Sequence, residues 1–338
     1  MSVFDDAHVT LAHGNGGRLM NALIEEIFAR HFESPEFDPQ LDAAPLQLDP
    51  GAEILMTTDG FIVQPLEFPG GDIGSLAVHG TVNDLAVSGA RPRYLTLGAI
   101  IEEGLELKFL DRIAASAAAA AKEAGVTIIA GDTKVTPRGS GGGLYLTTAG
   151  IGEKPRNIRH GMSFIKPGDA VLLSGPVGDH GVAVMLAREE FDLKGDIRSD
   201  SANVIALTQA LLPLDGLRFM RDPTRGGLAT VACEIAAATG RQIRLYESAI
   251  PVRPAVASVC DILGYDPYYL ACEGRVVAIV AREICDEALA RWRALGEGEA
   301  AAIIGEVREG AAHVILETEI GGERILEELE DDPLPRIC

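Results

Sequence analysis

Two hydrophobic periods alternate along this chain, and their order restricts the fold more than any other feature. Ile54–Thr58 and Tyr94–Ile101 are β-like, whereas Ile73–Ser88 spaces its apolar residues for a helix and stops near Gly89. Leu107–Ala124 is an Ala-rich helix followed by Gly125, a residue suited to a helix C-terminus. Val126–Ala130 and Leu144–Ile151 complete a β-α-β-α-β-β order, which predicts an α+β sheet with its helices on one face. Residues 155–168, PRNIRHGMSFIKPG, carry two Pro and two Gly and are the expected domain joint. Beyond it, strands are expected at Ala170–Ser174, Gln242–Tyr246, Val276–Val280, Ala302–Val307 and His313–Thr318. Helices are expected at His180–Ala187, Ala202–Leu212, Gly226–Ala238, Pro254–Leu263 and Glu283–Leu295. Ahead of the first strand lie a Gly-rich motif, an apolar helical run over Leu19–Phe32 and a Pro/Asp-rich loop over Ser34–Pro50. The chain therefore divides into residues 1–42, 43–155, 165–318 and a tail over 319–338, and its 338 residues suit two domains.

Composition narrows the partners. A hydrophobic fraction of 47% supports a real core, and a formal charge of −21 argues against nucleic acid and anionic membrane, which attract Lys/Arg patches. No stretch approaches the ~18 apolar residues of a membrane span. The N-terminus, polar with two Asp, does not read as a secretory signal. The five Cys show no CxxC spacing, so neither a disulfide framework nor a zinc ribbon is expected and the cytoplasm is the expected compartment. Cys338 stands apart, closing an Ile315–Cys338 segment with eight acids and two bases. Pro333 and Pro335 favour an extended, semi-rigid end, which from Asp331 onward spans at most ~26 Å.

Five local motifs could carry chemistry. His13-Gly14-Asn15-Gly16-Gly17 suits a phosphate loop or a plain turn before a helix; it lacks the GK[ST] ending of a Walker loop. Asp59 in TTDGF, Asn83-Asp84 in GTVNDLA, Asp132 in AGDTKV and Asp222 in RDPTRGG are oxygen donors suited to Mg²⁺, each also readable alone as a turn or cap residue. Lys134, just past Asp132, could neutralise a transferring phosphoryl group or be a surface lysine. Arg225 precedes a helix N-terminus, a setting for an anion or an ordinary cap. Glu273 in LACEGR is a general-base candidate, and Cys272 reads as a small buried hydrophobe.

Taken in order, HGNGGRLM, TTDGF, HGTVNDLAVSGA, GDTKV, RDPTRGGLAT, LACEGR and the closing PRIC resemble the HypE family of hydrogenase maturation factors. That family shares a superfamily with aminoimidazole ribonucleotide synthetase and selenophosphate synthetase. The resemblance implies a two-domain fold in which the N-terminal domains of a homodimer share a barrel-like sheet and the C-terminal domain is an α/β sandwich. It implies a carbamoyl dehydratase that uses ATP and Mg²⁺ to convert an S-carboxamide on its own terminal Cys into a thiocyanate. The carbamoyltransferase HypF would load the thiol, and the HypC–HypD complex would take the cyano group for a [NiFe]-hydrogenase. Carried over by motif, Cys338, Lys134 and Glu273 are the catalytic candidates. His13, Asn15, Gly16, Gly17, Asp59, Asn83, Asp132 and Arg225 would meet ATP, while Asp59, Asp84, Asp132 and Asp222 would hold metal. A selenophosphate synthetase would carry an early reactive Cys, but the first here is Cys233. An aminoimidazole ribonucleotide synthetase would not need the PRIC ending. A non-enzymatic ATP-binding scaffold would bind the nucleotide without consuming it.

Overall fold

The computed structural model describes residues 3, 7–32, 43–188, 195–330, 334 and 336–338. The expected loop over 34–42 and the two tail prolines, Pro333 and Pro335, lie outside the described residues.

The first half is built around a four-stranded sheet, order β1-β6-β4-β5. Its strands are β1 (Glu53–Phe61), β4 (Arg91–Glu102), β5 (Thr127–Thr136) and β6 (Leu144–Lys154), with a small ribbon of β2 (Glu67–Phe68) and β3 (Gly71–Asp72) beside it. Ahead of it runs α1 (Arg18–Leu23), which widens into a π-type turn over Ile24–Ala29. Two helices cover one face of the sheet: α2 (Ile73–Val87) and α3 (Leu107–Ala124). Asp72 starts α2 because its carboxylate accepts the Gly74 and Ser75 amides at 2.7 and 3.0 Å, while Ser75 Oγ accepts the Asp72 N–H. α2 is buried almost all round, as befits a helix packed between a sheet and a second domain. α3 ends at Gly125 with φ 67°, as its sequence predicts.

The opposite face of this sheet lies open. Strand alternation puts Leu55, Thr57, Asp59 and Phe61 toward α2 and turns Ile54, Met56 and Thr58 outward. Ile54, Met56 and Ile100 are 43%, 70% and 37% exposed there.

The second half holds a seven-stranded sheet, order β13-β12-β9-β11-β7-β10-β8. In chain order its elements are β7 (Ala170–Leu173), α4 (Asp179–Ala187), α5 (Ile205–Leu211), β8 (Leu217–Arg221), α6 (Gly227–Thr239), β9 (Gln242–Tyr246), α7 (Pro254–Leu263), β10 (Val277–Val280), α8 (Cys285–Arg293), β11 (Ala302–Arg308), β12 (Val314–Glu317) and β13 (Glu323–Leu326). All pairings are antiparallel except β12 with β9. Two elements depart from the sequence expectation. β8 is short and polar-flanked, so it escapes a hydrophobic pattern. The tail expected from residue 319 begins later, because Glu323–Leu326 pairs with β12. Burial of Leu326 and the ion pairs from Arg244 to Glu317 and Glu323, both at 2.6 Å, hold that hairpin despite its acids.

Candidate functional site

β1 ends in Asp59-Gly60-Phe61, and α2 runs beneath it. The approach is close: a Cβ on Gly80 would sit 2.8 Å from the Phe61 ring, so only glycine fits there. One helical turn on, Asp84 accepts a hydrogen bond from Thr57 Oγ1 at 2.9 Å. From the second domain, Asp222 leaves the end of β8, Arg225 precedes α6, and Glu273 sits just before β10. Asp59, Asp84, Asp222, Arg225, Glu273 and Cys338 line one cavity of about 30 Å³. That is room for little more than a water-sized group.

The electrostatics of this cavity are those of crowded carboxylates. Burial and the neighbouring Asp84 charge push the Asp222 carboxyl up to about 7. Burial, then Asp200, Asp222 and Asp59, raise the Glu273 carboxyl well above its ordinary range. Arg225 stands 3.7 Å from Asp59 and is the facing cation. Glu273 Oε1 is buried without a hydrogen-bond partner among the described residues. An orphaned acceptor at a cavity wall is costly unless a ligand supplies a donor.

The tail closes the cavity. Its carbonyls at 336 and 338 accept the Gln64 and Ile62 amides, both at 3.2 Å. Arg188 ties the same place together, donating to Gln64 O at 2.9 Å and to Arg336 O at 2.7 Å. Leu334 and Ile337 are buried in the apolar cluster that joins the first domain to α4 and α7. The tail thus extends the sheet edge beyond β1, and Cys338 ends up beside Glu273 and the Asp cluster.

Other sequence candidates lie elsewhere. Asn83 donates to the carbonyls of Ala202 and Glu273 and accepts the Val204 N–H, so its amide clasps the domain joint and does not face the cavity. Asp132 and Lys134 sit on β5, on the open face of the sheet, where Lys134 Nζ meets both Asp132 oxygens at 2.6 Å. Alternation explains the separation: Asp132 pairs with Gly98, whose row continues through Thr147 to Gly60, one register position from Asp59 and on the other face. His13 is buried, its Nδ1 accepting the Thr10 N–H at 3.0 Å to close a short turn. Asn15, Gly16 and Gly17 are exposed beyond it. This segment lies against β5, since a Cβ on Gly14 would stand 2.8 Å from Val135. The Gly-rich segment and the Asp132–Lys134 pair therefore form a second group, apart from the carboxylate cavity.

For metal, the donors are hard oxygens whose mutual repulsion favours a cation. No group of three or more His, Cys, Asp or Glu stands at metal-holding spacing among the described residues. Mg²⁺ draws most of its ligands from water and phosphate, so Asp84 and Asp222 form an adequate pair for it, without Asp132. A second, larger cavity of about 660 Å³ shares Asp84 and Asp222 with the first and adds Arg221, Lys154, His160 and Met56. That size suits a nucleotide.

Two family models divide the chain between them: the AIR synthase related protein N-terminal domain over residues 40–153, and its C-terminal domain over 166–316. The carbamoyl dehydratase HypE of Azotobacter vinelandii is 47% identical over 332 residues, 98% of this chain and 97% of that protein. The chain belongs to the HypE family of carbamoyl dehydratases. Membership makes it an enzyme of hydrogenase maturation with the two-domain AIR synthase-like fold. A solved HypE in complex with ATP superposes with a TM-score of 0.92 at 45% identity, covering 97% of this chain and 99% of that one. A HypE–HypF complex gives 0.80 at 45% identity, covering 91% and 100%. Sequence reasoning missed the residues that dock the tail: Ile62, Gln64, His180 and Arg188. Their signal is weak, because two of them act through backbone amides that any residue provides.

Proposed function

We propose that this chain dehydrates a thiocarboxamide carried on its own Cys338, coupled to ATP, giving a thiocyanate. The observation that carries the reading is that Cys338 lines the same small cavity as Glu273, Asp222 and Arg225. The carboxamide oxygen leaves poorly as such. Transfer of the γ-phosphoryl group to it makes phosphate the leaving group, and loss of both N–H protons completes the C≡N bond. The products are the thiocyanate, ADP and phosphate. Glu273 suits the proton transfer because its buried, unpartnered Oε1 needs an N–H donor, which the carboxamide amide supplies. Its raised proton affinity makes it a stronger base than an exposed carboxylate.

ATP would occupy the 660 Å³ cavity, where Arg221 and Lys154 offset its charge and the shared Asp84–Asp222 wall points the terminal phosphate at Cys338. Mg²⁺ on Asp84 and Asp222 would neutralise charge on the transferring group. Arg225 would serve the leaving phosphate.

The other candidates fit a homodimer. The open face of the first sheet, with Ile54, Met56 and Ile100 exposed, suits a second copy of the same sheet. Burying that face would carry Asp132, Lys134, and the flap of His13, Asn15, Gly16 and Gly17 toward the partner's cavity, where Lys134 would stabilise phosphoryl charge. HypF would load the thiol and HypC–HypD would receive the cyano group, in the cytoplasm. Among the described residues no helix is long and apolar enough to cross a membrane.

The test is whether ADP release depends on the load on Cys338. The carbamoylated chain should release one ADP per thiocyanate formed, and Cys338→Ala should release none above background. Binding of ATP without consumption by the carbamoylated chain would contradict the reading and favour a scaffold.

A further inference from the structure

Three backbone carbonyls dock the tail, and the middle one, in the peptide that precedes Cys338, is held by a side chain without an assigned role. His180 lies at the start of α4, fully buried, with Nε2 2.7 Å from Ile337 O and Nδ1 2.8 Å from Ser199 Oγ. A carbonyl has no proton to give, so Nε2 must carry the hydrogen. Nδ1 is then an acceptor and takes the Ser199 hydroxyl proton. Ser199 Oγ already accepts the Ser201 N–H at 2.9 Å, which leaves its own hydrogen for His180. The Ser199 N–H donates in turn to Pro69 O at 2.7 Å, and the Phe68 ring stands edge-on to the imidazole at 5.4 Å. The tautomer is thus fixed by a serine on a tied-down loop.

The same loop also holds Glu273. Asp200, the next residue, accepts the Glu273 N–H at 3.1 Å, and Arg275 stands 3.3 Å from the other Asp200 oxygen. Two adjacent residues, Ser199 and Asp200, therefore set the peptide that precedes Cys338 and the backbone of the residue that faces it.

We propose that His180, oriented by Ser199, is the positioning residue that registers the Cys338 side chain against Glu273. This rests on the reading that Cys338 carries the reacting group. An uncharged hydrogen bond of ordinary strength is well matched to that task, because a segment visited by a loading partner has to be released again.

The experiment uses the full chain and three variants. His180→Phe keeps a ring but loses the donor, Ser199→Ala keeps the imidazole but frees its tautomer, and His180→Gln restores a donor. First, Cys338 alkylation by iodoacetamide is timed in resting protein without ATP, read from the mass of the C-terminal peptide, with thermal unfolding as the folding control. Loss of one such hydrogen bond should speed alkylation about five- to tenfold in His180→Phe, less in Ser199→Ala, and leave His180→Gln near wild type. Second, single-turnover dehydration of the carbamoylated chains should slow in the same order with the KM for ATP unchanged. Wild-type alkylation rates in folded Ser199→Ala and His180→Phe would overturn the proposal; if His180→Phe does not fold, Ser199→Ala decides alone. A wild type that never dehydrates its carbamoyl group would instead overturn the proposed reaction, and the alkylation order would still decide the role of His180.

Discussion

Glu273, Asp222, Asp84, Asp59, Arg225 and Cys338 come from five separate stretches of sequence, yet they surround a single cavity. Each is individually legible as a polar residue beside an apolar run or at a turn. Asp132 and Lys134 share that local signature but lie on the opposite face of the sheet, because one step of register reverses a strand residue. Asn83 misleads for a different reason: its donors and acceptor serve three backbone groups across the joint. His79 illustrates a cost of this joint. Its Nδ1 lies 3.2 Å from Ser201 Oγ, its Nε2 is buried without a partner among the described residues, and burial lowers its pKa from 6.5 to about 4. The unfolded chain therefore binds the proton first, so stability falls as pH drops from 6.5 toward 4 and is unaffected by this group above 6.5. His79→Gln should lose less stability between pH 7 and pH 5 than wild type, by on the order of 2 kcal/mol. Urea unfolding at the two pH values measures it, and an unchanged difference would remove His79 from the acid sensitivity.

At the scale of elements, hydrophobic period carried most of the order: α2, α3, β4 and β6 lie where apolar spacing puts them. β8 and β13 escaped it, the first for its brevity, the second because it begins with Glu323 and five of its neighbours between 317 and 330 are acidic. This edge strand is held by one buried side chain, Leu326, and by Arg244 of β9, which offsets the facing Glu317 and Glu323. In the second domain α8 is fastened to α5 by Trp292, fully buried, whose indole N–H donates to Leu207 O at 2.9 Å. Trp292→Ala leaves a cavity and removes the hydrogen bond to Leu207 O together. It should cost about 3–5 kcal/mol in denaturant unfolding, and a loss below 1 kcal/mol would mean that α8 is not part of the cooperative core.

At the scale of the molecule, the two family models part between residues 153 and 166, within or beside the Pro- and Gly-containing stretch over 155–168. The docking of the tail was not visible, because its grip is made by backbone amides and by a histidine distant in sequence. Nor does a single chain gather every candidate residue: Lys134 and the Gly-rich segment lie at β5, away from the cavity at β1. The proposed second copy on the open sheet face would join the two groups. Ile100→Lys, on that face and outside the lining of both cavities, should therefore give monomers by light scattering where the proposed wild-type dimer is twice the mass, and should slow dehydration while leaving Cys338 alkylation unchanged. Dimers in this variant would place the interface elsewhere.

Everything proposed for this site depends on Cys338 carrying the reacting group inside the carboxylate cavity. The most direct measurement is the intact mass of the chain after incubation with the carbamoyltransferase, carbamoyl phosphate and Mg·ATP, alongside Cys338→Ala and Glu273→Gln. The wild type should gain one carbamoyl group and then lose one water. Glu273→Gln should gain the carbamoyl group but lose water about 10²- to 10⁴-fold more slowly, and Cys338→Ala should gain nothing. Gain and loss in Cys338→Ala, or water loss at the wild-type rate in Glu273→Gln, would contradict this reading.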